Sequence, residues 1–322
     1  MREIRKSVLG GINMTTGIND AVSKTREYLD SIFVEERLID SVVPSQKFEL
    51  YGESFSTPIM TPAFSHLKTF VQERKNGMQE YSKAAEQINA VNWVGMCENE
   101  EFKEIIESGA KTIRIIKPYA DRDKIFSQIA CANECGALAV GMDIDHIFGT
   151  DGNYDCVMGE RMACQSMKEI REYVEATKLP FIIKGVLSVM DAIKCAQVGV
   201  QGIVVSHHHG RLPLAVPPLV VLPEIVKALI PYGKVKVFVD CGIESGYDAF
   251  KALALGADAV SVGRVLMPEL AKNGIDGVRN YINKMKEQLA YTMAFCGCST
   301  LEEINSSVLY QMQGKQNYIS KY

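Results

Sequence analysis

Side chains that can move protons or bind anions are concentrated directly after short apolar stretches of this sequence. They are Lys117, Asp143, Lys184, Ser206, Asp240 and Arg264. Lysine, aspartate and histidine can hold or move a proton, and arginine offers a fork of N–H donors to a carboxylate or phosphate. Side chains of these types predict one site that is assembled from several segments of the chain.

The stretch GIVVSHHHGRLP, residues 202–213, contains three of the five histidines of the chain. Successive side chains at the end of a strand point in different directions, and His66 and His146 stand at no recognised ligand spacing from them. We therefore predict no metal site here. The central His208, three residues before Arg211, is typical of a general base beside a carboxylate anchor. A buried structural role for one of the histidines remains the alternative.

Two glycine-containing turns follow apolar runs late in the sequence. VFVDCGIESG places Asp240 before Gly242, and AVSVGRVL places Arg264 after Gly263. Backbone N–H groups in such turns bind phosphate, and an arginine adds a charged partner. Tight turns with a surface arginine are the alternative. Lys184 ends the run PFIIK, where it could be a Schiff-base nucleophile, a phosphate partner, a stabiliser of anionic charge on a ring, or a rim lysine.

Eight apolar runs alternate with helical patterns along the chain. The predicted strands are Pro58–Ala63, Ala90–Gly95, Thr112–Lys117, Leu138–Asp143, Pro180–Gly185, Gly202–Ser206, Val235–Asp240 and Asp258–Gly263. The predicted helices between them are Met78–Ile88, Glu100–Ser108, Asp123–Glu134, Ser166–Ala176, Val189–Val198, Leu222–Leu229 and Tyr247–Ala254. This alternation predicts a (β/α)₈ TIM barrel, an α/β fold in which active residues follow the carboxyl ends of the strands. A doubly wound sheet is disfavoured because FSHLKTF, after the first strand, lacks a glycine-rich turn.

The domain organisation predicted is a single domain. Residues 1–52 form an extension with a helix over Asn19–Ser31 and the strand-like KFELYG, and residues 53–322 form the barrel. An extension of this kind commonly closes the bottom of a barrel.

Composition excludes several classes of protein. A net charge of -4 from 35 basic and 39 acidic residues indicates no affinity for nucleic acid or a membrane surface. No run approaches the roughly 18 apolar residues of a membrane span. The N-terminus carries no export signal pattern, so the nine scattered cysteines predict reduced thiols and a cytoplasmic location.

The segment from Pro180 to Leu266 resembles the FMN-dependent α-hydroxy-acid dehydrogenase/oxidase family, which includes lactate and glycolate oxidases. The family's S-N-H-G-G-R run matches residues 206–211, its K-G matches Lys184-Gly185, and its D-G-G matches residues 240–242. Its G-R after the last strand matches Gly263-Arg264, and its turn after the first strand matches residues 61–64. The similarity is weaker from residue 37 to 180 and extends to about residue 295.

The resemblance implies FMN as cofactor and a small 2-hydroxy acid as substrate. His208 would be the base, Arg211 would hold the substrate carboxylate, Asp143 would support the His208 ring, and Lys184 would stabilise charge on the reduced flavin. The predicted cofactor contacts are Pro62, Ala63, Asn92, Arg114, Lys184, Ser206, Asp240, Gly242, Gly263 and Arg264. The electron acceptor stays open among oxygen, a quinone and a carrier protein, and the family's tetramers predict a homo-oligomer.

The sequence also departs from the family where the substrate would bind. The family's second carboxylate-binding arginine is missing from the loop after strand four, where Arg161 is the nearest substitute. Tyr28 is the candidate for the family's N-terminal tyrosine, Arg114 and Ile116 change the wall formed by strand three, and Glu244 replaces a phosphate-binding arginine. Two alternatives therefore stay open: an FMN barrel of other chemistry, such as a type 2 isopentenyl-diphosphate isomerase-like enzyme, and a flavin-binding protein without hydroxy-acid turnover.

Overall fold

The computed structural model describes residues 20–67, 74–233, 235–313 and 318–321. The N-terminal residues on which the export-signal prediction depends lie outside these ranges.

Eight parallel strands form the central sheet, as the sequence predicted. In chain order they are β4 (Ile59–Met60), β5 (Asn92–Val94), β6 (Thr112–Ile116), β7 (Ala139–Asp143), β10 (Phe181–Val186), β11 (Gly202–Val205), β12 (Lys236–Val239) and β13 (Ala259–Ser261). Neighbouring strands follow chain order from β5 to β13, and β13 pairs with β4. The backbone N–H of Thr61 donates to the carbonyl of Val91, and that of Gly95 to the carbonyl of Phe64, so β4 also adjoins β5 and the barrel closes.

Helices cover the outside of the barrel. They are α2 (Gly77–Ile88), α3 (Asn99–Ile106), α4 (Arg122–Glu134), α5 (Met167–Glu175), α6 (Val189–Gln197), α7 (Pro218–Leu229), α8 (Gly246–Ala254) and α9 (Leu266–Phe295). Several start at a side-chain cap. The Ser166 hydroxyl accepts from the Glu169 N–H while the Glu169 carboxylate accepts from the Ser166 N–H, a capping box that fixes the start of α5.

Strand alternation separates barrel interior from exterior. Ile113 and Ile115 of β6 pack inside with Trp93 and Phe238, whose rings meet edge to face at 5.4 Å. Arg114, between the two isoleucines, therefore points outward. By the same alternation Lys117, which follows β6, returns to the interior side.

The N-terminal segment contacts both ends of the barrel. Helix α1 (Ala21–Asp30) precedes β1 (Ile32–Val34) and the antiparallel hairpin of β2 (Phe48–Leu50) and β3 (Glu53–Phe55). Phe48, Leu50 and Phe55 pack into the interior cluster that also contains Trp93. Helix α1 instead lies near the carboxyl ends of the strands, because Gly242 after β12 leaves room for Thr25 and Leu29.

Two parts of the fold were not predicted. Helix α9 was missed because Pro268 and Gly274 interrupt its pattern, and Gly274 leaves helical geometry with φ 57° and ψ -135°. Strands β14 (Leu309–Gln313) and β15 (Tyr318–Lys321) form a small sheet with β1, and a hairpin of β8 (Cys156–Val157) and β9 (Glu160–Arg161) follows β7. These strands are short, and their residues do not form apolar runs. Within the described ranges, no helix is both long and apolar enough to cross a membrane.

Candidate active site

A cleft opens at the carboxyl ends of the barrel strands. It is lined by Ala63, Ser65, Gly95, Met96, Ile115, Lys117, Asp143, Lys184 and His208. Parallel register brings these groups together, since Asp143 is the direct neighbour of Lys184 in the pairing of β7 with β10. The structure thus brings predicted residues Ala63, Asp143, Lys184 and His208 into one cleft.

The Asp143 carboxylate is almost fully buried and lies between two lysines. Lys117 Nζ is 2.5 Å from Asp143 Oδ2, and Lys184 Nζ is 3.7 Å from Oδ1. Burial favours the neutral acid, but the two ammonium groups outweigh it and hold the pKa of Asp143 well below its ordinary value. Asp143 is therefore a fixed negative charge that is shared between two cations.

His208 has its closest charged contact with Asp145. Its Nδ1 is 2.5 Å from Asp145 Oδ1 and 3.5 Å from Asp143 Oδ1. Asp145 reaches this position because Gly185 follows Lys184: a Cβ at Gly185 would lie 2.6 Å from the Asp145 carboxylate. Since Nδ1 carries the proton donated to Asp145, Nε2 of the neutral ring is left as an acceptor.

The charges around His208 change its acidity. Burial and the Lys184 ammonium lower the pKa of His208, and the Asp143 and Asp145 carboxylates raise it, with a net rise above the ordinary value. The pKa of Asp145 is also raised, first by burial and then by the Asp143 charge. His208 can therefore accept a proton and keep it next to a carboxylate, as a general base requires.

Arg211 belongs to a chain of polar contacts that leads back into the cleft. Arg211 Nη2 is 2.5 Å from Asp155 Oδ2, and the same Asp155 oxygen is 3.1 Å from His146 Nε2. The other ring nitrogen, His146 Nδ1, is 3.0 Å from Lys117 Nζ. The pKa of His146 is lowered to about 3, mainly by burial and next by the positive charges of Lys117 and Arg211. His146 is therefore a neutral link that accepts from Lys117 and donates to Asp155.

His146 also lies edge to face with His208, at 5.5 Å between ring centroids. Asp143, His146 and His208 each place a potential ligand atom within 4.8 Å of the others. The spacing of the histidines in sequence did not indicate this proximity. The Lys117 ammonium already contacts two members of this group, Asp143 and His146.

His207 connects the site to helix α1. The Gly210 N–H donates to His207 Nδ1 at 3.0 Å, so Nε2 carries the proton and donates to Thr25 Oγ1 at 2.8 Å. Thr25 in turn donates to the Ala21 carbonyl. Burial lowers the pKa of His207, in agreement with a neutral ring that stabilises the loop. One of the three histidines thus has the structural role that the sequence left open.

The turns after β12 and β13 form the far end of the site. Arg264 is exposed, its guanidinium has no ion pair or hydrogen bond to another described residue, and a Cβ at Gly263 would meet no atom within 4 Å. The pKa of His209 is lowered to about 4, mainly by burial and next by the positive charge of Arg264. Asp240 Oδ2 is 3.6 Å from Lys184 Nζ and joins this end to the cleft.

Two predicted cofactor contacts lie outside the barrel interior. The Arg114 guanidinium donates to the carbonyls of Gln128 and Cys97, and the Asn92 amide bonds Thr61 and Thr112. Both side chains are buried and satisfied between the sheet and the helices, because each lies at an outward position of its strand. This placement argues against the predicted flavin contacts.

Other predicted residues also lie away from the cleft. Arg161, on β9, is exposed and stacks over the Tyr154 ring at 5.8 Å, and Tyr28 packs against the hydrophobic core. Neither lines the cleft. The wall residues of β6 are Ile115 and Lys117 rather than Arg114 and Ile116, so that prediction was one residue out of register.

The sequence predicted Lys117 at a strand end within one site but without a specific role, and it did not predict Asp145 or His146 as site residues. Alternation in GMDIDH places Asp145 on the same side as Asp143, and this signal could have identified it. His146 belongs to an irregular loop, for which sequence provides no comparable rule.

Comparisons with known proteins identify the family and the fold of the chain. The chain matches the sequence profile of a family described as FMN-dependent dehydrogenase over residues 1–166 and 154–311. It is 29% identical to a peroxisomal (S)-2-hydroxyacid oxidase of Arabidopsis thaliana over 92% of this chain and 88% of the relative. It is 38% identical to an L-lactate oxidase of Roseobacter sp. (strain GAI101), over 51% of this chain and 44% of that one.

The fold is similar to solved structures of mandelate oxidase. One, with 3,3-difluoro-2-hydroxy-3-phenylpropionic acid, has a TM-score of 0.82 at 28% identity and covers 94% of this chain and 92% of its own. Another, a variant with a monooxide FMN adduct, has a TM-score of 0.79 at 29% identity, with 93% of each chain covered.

Proposed function

Because the chain belongs to the FMN-dependent dehydrogenase family, we propose that it oxidises a small 2-hydroxy acid to a 2-oxo acid with FMN. The observation that carries this proposal is the position of His208, whose Nδ1 is held by Asp145 and whose Nε2 is free in the same cleft as Lys184. Similar relatives are named for the oxidation of 2-hydroxy acids or lactate.

The residues present fit FMN. Among the described residues, no carboxylate oxygen is closer to Lys184 Nζ than 3.6 Å, so its N–H donors are available to an anionic ring. Arg264, with the open space at Gly263, is suited to a phosphate. The predicted contacts from Pro62, Ser206 and Gly242 remain part of this proposal, although the Ser206 hydroxyl already accepts from the His208 N–H. When bound, FMN supplies the two-electron acceptor.

The protein's own residues would handle the protons and charges of the reaction. His208 Nε2 takes a proton from the substrate, and Asp145 stabilises the imidazolium that results. Lys184 places a positive charge where negative charge develops on the cofactor. Arg211 holds the substrate carboxylate. Because Arg211 also contacts Asp155, the substrate must share the Arg211 guanidinium with the Asp155 carboxylate or displace that carboxylate from it.

The isomerase-like alternative is not favoured by the cleft. A diphosphate would need surplus positive charge, but both cleft lysines face aspartates: Lys117 contacts Asp143, and Lys184 has Asp143, Asp145 and Asp240 within 3.9 Å.

An anaerobic titration of the purified protein with a panel of 2-hydroxy acids tests the proposal. Loss of flavin absorbance with one acid is expected, and His208→Ala should slow this reduction by about 10²–10⁴-fold while FMN stays bound. A flavin spectrum that no acid bleaches would refute hydroxy-acid oxidation and favour a flavin-binding protein. A loss of reduction in His209→Ala but not in His208→Ala would refute the assignment of the base.

The proposal includes a cytoplasmic location and a homo-oligomer. All nine cysteines are free, and Cys131 Sγ and Cys135 Sγ, 3.9 Å apart, are unlinked, which supports a reducing compartment. Light scattering during gel filtration would test the assembly.

A further inference from the structure

Lys117 is a cleft residue whose role goes beyond its contact with Asp143. Only 7% of Lys117 is exposed, yet it lines the cleft together with Lys184 and His208. An ammonium group has three N–H donors. Two are directed to Asp143 Oδ2 and His146 Nδ1, and no described group accepts the third.

Arg211, the proposed anchor of the substrate carboxylate, is not among the residues that line the cleft. Arg211 already has Asp155 as a partner, and Arg161 lies outside the cleft against Tyr154. A 2-hydroxy acid that is held at a single point could rotate about that contact. A second cation on the cleft wall would fix both the carboxylate and the reacting carbon relative to His208.

We propose that Lys117 is the second anchor of the substrate carboxylate and determines the preference for acids over neutral analogues. This inference rests on the proposed function. Asp143 and His146 fix the ammonium on two sides, so the remaining donor is directed without further loss of side-chain freedom. His146, Asp155 and Arg211 continue the chain of contacts, which places the two cations at opposite ends of one network.

A purely structural role is the competing explanation. In that case Lys117 would only neutralise buried Asp143, and its loss would reduce stability or alter the pKa of His208 without changing the choice between an acid and its amide. The two roles therefore differ in a binding measurement that does not need turnover.

The experiment compares binding of pyruvate and pyruvamide to the FMN-loaded protein, followed by the change in flavin absorbance. Lys117→Met should weaken pyruvate binding by about 10- to 100-fold, the effect of a lost charged hydrogen bond, and pyruvamide binding by less than about threefold. Lys117→Arg should keep the preference for pyruvate. Lys168→Met, at a side chain that is 88% exposed, controls for net charge and should bind both as the unaltered protein does.

Equal effects of Lys117→Met on both ligands, or none, would overturn the inference, as would an unaltered protein that does not prefer pyruvate. If Lys117→Met fails to fold, the Lys117→Met/Asp143→Asn double variant also removes the buried carboxylate that has lost its partner. It should still lose the preference for pyruvate over pyruvamide. Flavin reduction by hydroxy acids in the unaltered protein, with no change in acid preference in the variants, would refute this inference and leave the proposed function intact.

Discussion

The carboxyl ends of strands β10 to β13 and those of β6 and β7 form two halves of the charged rim around the cleft, and they differ in how their charges are arranged. The first half, which contains Lys184, Asp240 and Arg264, places cations around open space, and the nearest contact between Lys184 and Asp240 is 3.6 Å. The second half, which contains Lys117, Asp143 and Asp145, has its charges in direct contact, with Lys117 2.5 Å from Asp143.

We infer from this difference a cofactor side and a substrate side, in line with the proposed function. Loosely paired cations can turn to a large anionic cofactor, whereas tightly paired charges hold a small ligand and a proton-accepting ring in fixed positions. The proposed cofactor side lies in the segments that resemble the family's motifs, with Glu244 in place of a phosphate-binding arginine. The proposed substrate side contains Lys117, Asp145 and His146, which lie outside these motifs, and the choice of substrate is expected to depend on these three residues.

Asp145→Asn should give the largest effect and should act on the substrate side alone. Loss of the charged hydrogen bond to His208 is expected to slow flavin reduction by about 100-fold. A neutral neighbour destabilises the imidazolium, so the pKa of His208 falls and the acid limb of the pH profile of flavin reduction moves to lower pH.

Stopped-flow reduction across a pH series measures this effect, and the exposed Asp151→Asn on the following loop is the matched control. If the acid limb of the pH profile stays in place in Asp145→Asn but moves in Asp143→Asn, then Asp143 and not Asp145 stabilises the His208 imidazolium.

Arg264→Ala should act on the cofactor side alone. We expect FMN affinity of the stripped protein to fall by about tenfold, because one charged phosphate contact is lost. Fluorescence titration with FMN measures it, and exposed Arg171→Ala is the control. An unchanged affinity for FMN would show that Arg264 does not bind the phosphate. An altered preference for substrate would show that the cofactor side and the substrate side are not independent.

Asp155→Asn should produce the smallest change. The contact with Arg211 is partly exposed, and such pairs contribute about 0–1 kcal/mol, so release of Arg211 is expected to lower the KM for the hydroxy acid by about two- to fivefold. Steady-state kinetics measures KM and kcat separately. A higher KM would instead show that Asp155 holds Arg211 in position for the substrate.

The sequence predicted the barrel well because strand and helix periodicity repeats along most of the chain. Each predicted strand overlaps an observed one, and Lys184 and His208 reach the cleft because they lie near the carboxyl ends of β10 and β11. Arg114 and Asn92 were misplaced because the direction of a side chain changes with every residue of a strand. The contacts of His146 and Asp155 depend on a loop that has no periodicity, and Thr25 meets His207 across 182 residues. No local pattern contains that pairing.

Pairing of β1 with β14 links the two ends of the described chain. Ile32 pairs with Gln311 and Val34 with Leu309, and β1 directly follows the helix that contacts His207. During synthesis the segment around β1 emerges early but gains its partner only after nearly the whole barrel has left the ribosome. Pairing over such a distance is a slow step in folding. The loop after β11, which contains His208, is therefore expected to reach its final order late, when β1 pairs with β14.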